Sequence, residues 1–559
     1  MATKLSPTIK PTDVGLKREI GLIGATWASE TSIIGSGWLL GSFAAAQLLG
    51  GAAIIAWLLG AVAIIILALV HAELGGMYPV AGGTARFPHL AFGEGAGIAF
   101  GFFSWLQAVT VAPIEAYAVI HYLGYKWHTV YNPNANGGNG NVTHWGFVLE
   151  IVLMAIFTAL NFIALKWYNR ISSAITWWKV GIPVLTIIIV GVTAFHSSNF
   201  SAGGGFFPTG TSMKDVFGAL PGASIIFAYL GFEQADQLAG EVKNPQRNLP
   251  LAIILSILIG TVIYVLLQVV FIGATPTSLL THGGFAGIKS SDPIALAPFA
   301  ALTSVIALGW LSFILRLDAF ISPAGTGSMY LTATSRVSYG LARNRYYPAL
   351  FGKVDSRGIP WFGMIIGFLA GLVFTFPFPS WHSLVSLVTG ASVLMYAGAP
   401  LSLGALRNRL PGADRPFKLP GAAVISPIAF IVSGLLIYWS GFEAIWKLGV
   451  AIILGYVVIL FYSADRPELP KINWSKSAWI GAYLLGMGII SWQGDYGPQN
   501  TGRLQYPYDI LVVAVFSLAI YYWAIYSALS PEEIELRIAA QSSPTEDDAA
   551  DQPEPEAAA

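Results

Sequence analysis

The stretch Ile33-Ile34-Gly35-Ser36-Gly37-Trp38 interrupts an apolar run that begins near Arg18 and otherwise reads as one membrane helix. Two glycines flanking a serine weaken the helical ladder at the depth of the bilayer midplane, where lipid offers no replacement hydrogen-bond partners. A break there is tolerated only if it lines a cavity. The backbone amides it frees, backed by the positive end of the half-helix that follows, make a place for a carboxylate. A plainer reading also stands: the glycines let two helices pack closely.

The rest of the chain supplies the context. Of its 559 residues 55% are hydrophobic and only 10% charged, too little polar surface to cover a soluble globule of this size, so the expected class is an all-α polytopic membrane protein. Apolar runs of about 20 residues, the length needed to cross roughly 30 Å of hydrocarbon, recur along nearly the whole chain. They place fourteen spans at 19–47, 50–73, 94–124, 146–166, 172–196, 214–240, 249–274, 304–335, 359–378, 382–406, 422–441, 443–463, 476–494 and 508–529, with a short outer-loop helix around Pro293 to Ala301. The polar start leads straight into the first span, which is expected to direct insertion itself. With no cysteines, disulfides, thiolate metal sites and cysteine nucleophiles are excluded. The balance of 29 Lys+Arg against 29 Asp+Glu gives no pull toward nucleic acid.

Charge placement carries more information than charge balance. With the N-terminus inside, the outer loops hold only Lys126, Lys214, Lys289 and Arg503, while Lys179, Arg316 and Lys447 fall in or near the membrane and all other basic residues are cytoplasmic. The positive-inside rule therefore predicts an even number of spans and two cytoplasmic termini in the plasma membrane. The expected organisation is an N-terminal tail over 1–18, spans one to five over 19–199, spans six to ten over 213–406, four further spans over 421–529, and a cytoplasmic, largely disordered tail over 530–559. The tail from Gln541 onward is acidic and rich in Pro and Ala, hence the expectation of disorder.

A second irregular helix opens the chain's second half. Ile225-Ile226-Phe227-Ala228-Tyr229-Leu230-Gly231-Phe232-Glu233 sets aromatics, a glycine and a carboxylate at mid-membrane. Taken alone it reads equally as an ordinary packed helix. Two irregular helices, first in each set of five, point to an inverted repeat with a binding site at the repeat interface.

Four segments then resemble a known family in order and spacing: Ile34-Gly35-Ser36-Gly37, Tyr78-Pro79-Val80-Ala81-Gly82-Gly83-Thr84, Gly231-Phe232-Glu233 through Glu241-Val242-Lys243-Asn244-Pro245, and Arg415-Pro416-Phe417-Lys418-Leu419-Pro420-Gly421. The family is the amino acid, polyamine and organocation transporter superfamily, and the resemblance covers about residues 15 to 465. It implies the fold of the bacterial leucine transporter, a 5+5 inverted repeat with spans one and six unwound at the substrate. The two extra spans resemble a fourteen-span bacterial and archaeal branch that includes an aspartate–proton symporter. By this resemblance Ile34, Gly35, Ser36 and Gly37 offer backbone amides to a substrate carboxylate. Phe227, Ala228, Tyr229 and Gly231 lie where the sixth span opens, so that carbonyls accept from the amino group and an aromatic ring covers the site.

Two ionisable groups at membrane depth are candidates for coupling. Lys179 either snorkels to the cytoplasmic surface from the start of span five or, as the resemblance implies, reaches the unwound first span and does the structural work of a sodium ion. Asp318 shares a helix face with Ser322, while Arg316 points elsewhere, and Pro323, Gly325 and Gly327 are expected to kink or open span eight. Asp318 then reads as a proton-carrying or substrate-contacting carboxylate, as a buried partner for Arg316 or Lys179, or as a group in water at the outer end. Glu233 is the alternative proton site, with Glu30, Glu115 and Asp236 weaker ones. Trp361, Trp381, Tyr438 and Trp439 read as interfacial anchors.

No phosphate-binding Gly-x-x-x-x-Gly-Lys-Ser/Thr loop is present and the eight histidines are dispersed. The expectation is accordingly a transporter rather than an enzyme, importing amino acids by alternating access with protons rather than sodium as the coupling ion, and with no cofactor. Its partners are an amino acid substrate and the lipid bilayer. Exchange of amino acids or amines, or a non-transporting nutrient sensor, are the rival expectations.

Overall fold

Helix follows apolar sequence nearly everywhere in this chain, and departs from it where glycine, proline or a buried polar group offers the backbone another partner. A computed structural model describes residues 18–135, 140–162, 165–376, 380–464, 472–498 and 503–542. The expectations placed on 1–17, on Arg466 and Lys471, and on the tail from 543 lie outside the described residues.

The first half comprises α1 (Leu22–Ile33), α2 (Ser36–Leu49), α3 (Ala53–Met77), α4 (Gly83–Phe92), α5 (Glu94–Leu123), α6 (His144–Asn161) and α7 (Leu165–Thr193). A two-residue antiparallel ladder, β1 (Tyr131–Asn132) with β2 (Asn141–Val142), closes the Asn- and Gly-rich loop between α5 and α6. Then come α8 (Met213–Gly222), α9 (Ile225–Ala228), α10 (Gln234–Gln237), α11 (Pro245–Ala274), the short α12 (Pro293–Leu296) and α13 (Pro298–Val305), α14 (Gly309–Arg343), α15 (Trp361–Thr375) and α16 (Trp381–Arg409). The chain ends with α17 (Ala422–Trp439), α18 (Gly441–Ala464), α19 (Ala478–Gln493), α20 (Tyr508–Ser527) and α21 (Pro531–Ser542).

Helices lie over all fourteen expected spans, and α12 and α13 take the place of the expected outer-loop helix. Among the described residues, eight helical stretches are long and apolar enough by themselves to cross a membrane, which makes this a multi-pass membrane protein. Large apolar side chains such as Val62, Val192, Leu258, Leu485 and Val515 are exposed along the outer helix faces, as a lipid-facing surface requires. The 35-residue α14 is not among the eight. Its stretch from Ser322 to Leu341 is buried at every residue and spends its faces on Ser, Thr and Gly, so it belongs to the protein interior rather than to lipid.

One expectation is corrected: of the kink or opening expected in span eight, the opening is absent, and α14 runs unbroken through Pro323, Gly325 and Gly327. A proline removes one ladder bond and crowds the preceding turn, yet a helix enclosed on all sides keeps its winding when neighbours satisfy what is freed. The ladder bond lost here is the one to the Ala319 carbonyl; beside it, the Ser322 carbonyl also accepts from Lys179 Nζ at 2.8 Å, tying α7 to α14 next to the proline. Within 530–559 the described residues begin with a helix, α21, and those from 543 lie outside the described residues. Ser530 and Glu533 cap it reciprocally (Ser530 N to Glu533 Oε2, 2.8 Å; Glu533 N to Ser530 Oγ, 3.2 Å), and Arg537 pairs with Glu94 at 2.6 Å.

The Arg415-Pro416-Phe417 motif has a structural task. Glu73, buried in α3, accepts from Arg407 Nε at 2.9 Å and from the Leu419 amide at 2.7 Å, with Arg415 Nε at 3.3 Å. One carboxylate thus ties α3, the end of α16 and the loop after it. Glu73→Ala is expected to destabilise the protein by about 3 kcal/mol, because it leaves the largely buried Arg415 and the partly exposed Arg407 without their anion. Unfolding measured against wild type in the same detergent checks this.

Candidate functional site

The site begins with the bookkeeping of one broken helix. At Ile34 (φ −84°, ψ 77°) and Gly35 (φ −112°, ψ −140°) the first span leaves helical geometry, and α2 restarts at Ser36. Every carbonyl and amide so freed that is buried must find a partner elsewhere. The Ile33 carbonyl accepts from Tyr264 Oη at 2.6 Å, and the Thr31 carbonyl from Lys179 Nζ at 2.5 Å and Thr326 Oγ1 at 2.8 Å. The Ser36 amide, first in α2, donates to Glu115 Oε2 at 2.8 Å, and Ser36 Oγ to Glu115 Oε1 at 3.0 Å. The break is therefore held open by α5, α7, α11 and α14.

Glycine is required on both sides of the cavity for different reasons. A Cβ on Gly35 would stand 2.7 Å from Glu115 Oε1 and 2.8 Å from Thr326 Oγ1, whereas one on Gly37 would stand 2.8 Å from the Ala228 Cα. Gly35 thus makes room for the polar partners of the break, and Gly37 allows two helices to touch. Gly231 has φ +124°, and a Cβ there would lie 2.7 Å from the Ile33 amide nitrogen. Gly231→Ala is expected to lower stability by at least about 2 kcal/mol, since it adds backbone strain to a clash with backbone. A melting temperature equal to wild type contradicts this.

The sixth span is interrupted twice. Ser224 takes a left-handed conformation (φ 63°) between α8 and α9, and a run of turns from Tyr229 to Glu233 separates α9 from α10. Glu233 fastens the second interruption: it accepts from the Gly231 amide (2.9 Å), Gln107 Nε2 (3.1 Å), Tyr396 Oη (2.6 Å) and, more weakly, Gln234 and Tyr330. So many donors on one carboxylate fix its position. Tyr396→Phe, which removes the shortest of these bonds, is expected to cost about 1.5–3 kcal/mol of stability. Chemical denaturation of the purified protein measures it.

Between the two broken spans lies a small cavity lined by Ser32, Ile33, Gly35, Gly37, Val111, Glu115, Phe227, Leu230, Thr326 and Tyr330. Phe227 lines it with its ring edge-on to Trp381 (5.8 Å, 90°), and Ala228 closes it against Gly37. Tyr229 does not: its hydroxyl donates to the Trp57 carbonyl at 3.1 Å and its ring packs on Trp57 and Tyr264. Gly231 sits under the backbone of α1.

Lys179 is fully buried and does not snorkel. Its third bond, besides the Thr31 and Ser322 carbonyls, goes to Thr326 Oγ1 at 2.7 Å, so all three ammonium donors are used. Asp318 is likewise fully buried, which removes the reading of a group in water. Its Oδ1 accepts from Trp178 Nε1 and Ser322 Oγ, each at 2.7 Å. Among the described residues no ion pair joins it to Arg316 or Lys179, and Arg316 lies instead over the Tyr125 ring at 5.1 Å. Trp381 and Tyr438 are not interfacial anchors: both are buried, Trp381 donating to Ser36 Oγ at 3.2 Å and Tyr438 to Asp509 at 2.9 Å. Thr326, Tyr330 and Trp381 belong to the site without having been singled out for it. Thr326 carried a readable signal, lying one turn from Ser322 on the same face.

Known proteins resemble this chain over most of its length. The family model described as "Amino acid permease" matches residues 20–445. The chain is 36% identical over 510 residues to the aspartate-proton symporter of Bacillus subtilis, covering 90% of this chain and 95% of that protein. It is 34% identical over 523 residues to the glutamate/serine transporter AimA of the same organism, covering 93% and 96%. A branched-chain amino acid permease, BcaP of Bacillus subtilis, is 26% identical over 467 residues. These relatives are transporters and not enzymes. With a family match over most of its length and relatives above 30% identity across nearly all of it, the chain belongs to the amino acid permease family of the amino acid, polyamine and organocation superfamily.

Proposed function

We propose that this chain is a secondary active transporter that imports an amino acid across the plasma membrane by alternating access, coupled to protons and independent of sodium. The observation that carries the reading is the Ser36 amide at the positive end of α2, facing a cavity and occupied by the carboxylate of Glu115. An incoming amino acid carboxylate and a charged Glu115 compete for the same donors, and two anions do not share that place. Protonation of Glu115 weakens its hold on Ser36, since a charge-assisted bond is roughly twice as strong as a neutral one. Substrate anion and proton therefore enter together. Asp318, tied to Trp178 and Ser322, is the second candidate for the proton, and Glu233, saturated with donors, the third.

Lys179 supports sodium independence: its ammonium already occupies the Thr31 carbonyl at the break and the Ser322 carbonyl of α14 facing it. The broken α1–α2 and α8–α9 pairs stand first in two sets of five spans, which supports the 5+5 inverted repeat with four further C-terminal spans, fourteen in all. The excess of basic residues on one side supports two cytoplasmic termini. The names of the two nearest-identity relatives quoted above favour an acidic or small polar amino acid as substrate.

The test is uptake of radiolabelled L-aspartate, L-glutamate and L-serine into proteoliposomes under an imposed pH or sodium gradient. Accumulation driven by an inward proton gradient and unaffected by sodium is expected. In the same assay Asp318→Asn is expected to retain proton-driven accumulation to within about threefold, a loss of under roughly 0.7 kcal/mol in rate terms. Its abolition transfers the proton from Glu115 to Asp318. Counterflow with no net proton movement establishes exchange instead.

A further inference from the structure

The final helix pair, α19 and α20, has no part in the site described above, yet the chain between them reaches the outer end of the sixth span. Tyr496 Oη donates to the Lys214 carbonyl at 2.7 Å, and Lys214 Nζ pairs with Asp495 at 3.0 Å. The ring of Tyr496 lies against α8 at Gly218, where an added Cβ would meet it at 3.0 Å. Phe217, its neighbour, stacks on Trp439 at 4.7 Å and 7°. The latch is itself anchored: the Tyr496 carbonyl accepts from the Phe442 amide at 3.2 Å, and the Asp495 amide donates at 3.3 Å to Tyr438 Oη, which in turn donates to Asp509 of α20 at 2.9 Å.

What this latch grips is a lever. α8 is ten residues long, and past the left-handed Ser224 it continues into α9, whose Phe227 lines the cavity and whose Ala228 touches Gly37. A rod of that length carries a displacement at Lys214 across roughly 15 Å to the edge of the cavity. We propose that Lys214, Asp495 and Tyr496 are positioning residues for transport, and that the α19–α20 pair holds α8 seated over the cavity and so sets how often the cavity is open from that side. The proposal rests on the transport reading for its consequence but not for its geometry.

The test uses the full-length protein, whose lack of native cysteine makes one introduced at Ala223 a clean reporter. In purified protein, Asp495→Asn is expected to speed maleimide labelling of Ala223→Cys about threefold to fivefold, the most that a partly exposed ion pair supplies. In proteoliposomes it is expected to lower the apparent KM for L-glutamate by a similar factor at unchanged melting temperature, as a larger fraction open to that side requires. The charge exchange Lys214→Asp with Asp495→Lys is expected to return both to within about twofold of wild type. Tyr496→Phe, which removes only one hydrogen bond, serves if Asp495→Asn does not fold. Labelling and KM that stay at wild-type values in the single variants, or that the exchange does not restore, overturn the proposal. If the wild-type protein does not take up glutamate, the transport reading fails while the labelling result still decides the latch.

Discussion

Lys179→Ala is expected to reduce uptake at least about a hundredfold while the protein still inserts into the membrane. Its ammonium makes three bonds with no solvent to replace them, to the Thr31 and Ser322 carbonyls and to Thr326 Oγ1. The Thr31 carbonyl retains Thr326 as a second donor and the Ser322 carbonyl its place in the unbroken α14, but the space of the side chain is left as a cavity. A bond from a charged donor is worth about 1.5–3 kcal/mol and a buried cavity adds to its loss, so the open geometry of the first span loses about 3 kcal/mol relative to a collapsed one. At 1.36 kcal/mol per tenfold, that is about a hundredfold in the competent population. Arginine is expected to fail as well, because a planar guanidinium does not place three donors on acceptors arranged around a point charge. Uptake above about a third of wild type, at matched protein, contradicts this role for the ammonium.

Glu115→Gln is expected to separate two properties that ordinarily travel together. Glutamine keeps an oxygen for the Ser36 amide and nearly the same volume, but it neither loses nor gains a proton. Net accumulation driven by a pH gradient is expected to fall to background, while counterflow of labelled against unlabelled substrate persists within about fivefold of wild type, a difference of about 1 kcal/mol. Equal loss of both indicates that Glu115 only supports the fold. Equal retention shows that the coupling proton rides elsewhere, with Asp318 next in line.

The parts of this architecture that could be read in the sequence are those where a local rule is violated inside an apolar run. Gly35-Ser36-Gly37 shows as a flaw in a membrane helix, and Lys179 as a charge at the wrong depth, because lipid punishes both. Which way a side chain faces is set by packing, and there the reading stopped short. Tyr229, expected with Phe227 where the sixth span opens, is turned onto Trp57 and Tyr264, since one face of the sixth span buries aromatics while the other meets the cavity. Trp381 looked like an interfacial anchor because it stands at a helix start, yet the Ser380 cap that begins α16 lies inside the protein and points it at Ser36. Pro323 suggested an opening that α14 does not make, since enclosure by neighbouring helices outweighs one lost ladder bond. α21 is legible at its start: Ser530 with Glu533, and Pro531 in the first turn, form a helix-start pattern inside an acidic stretch.

The central claim is that an amino acid carboxylate takes the Ser36 amide from Glu115 in the cavity between the two broken spans. A structure of the purified protein with L-glutamate or L-aspartate bound at low pH tests it most directly. The account predicts the substrate α-carboxylate within hydrogen-bonding distance of the Ser36 amide, with Glu115 displaced from it and Phe227 over the ligand. A ligand bound elsewhere, with Glu115 still on Ser36, contradicts it.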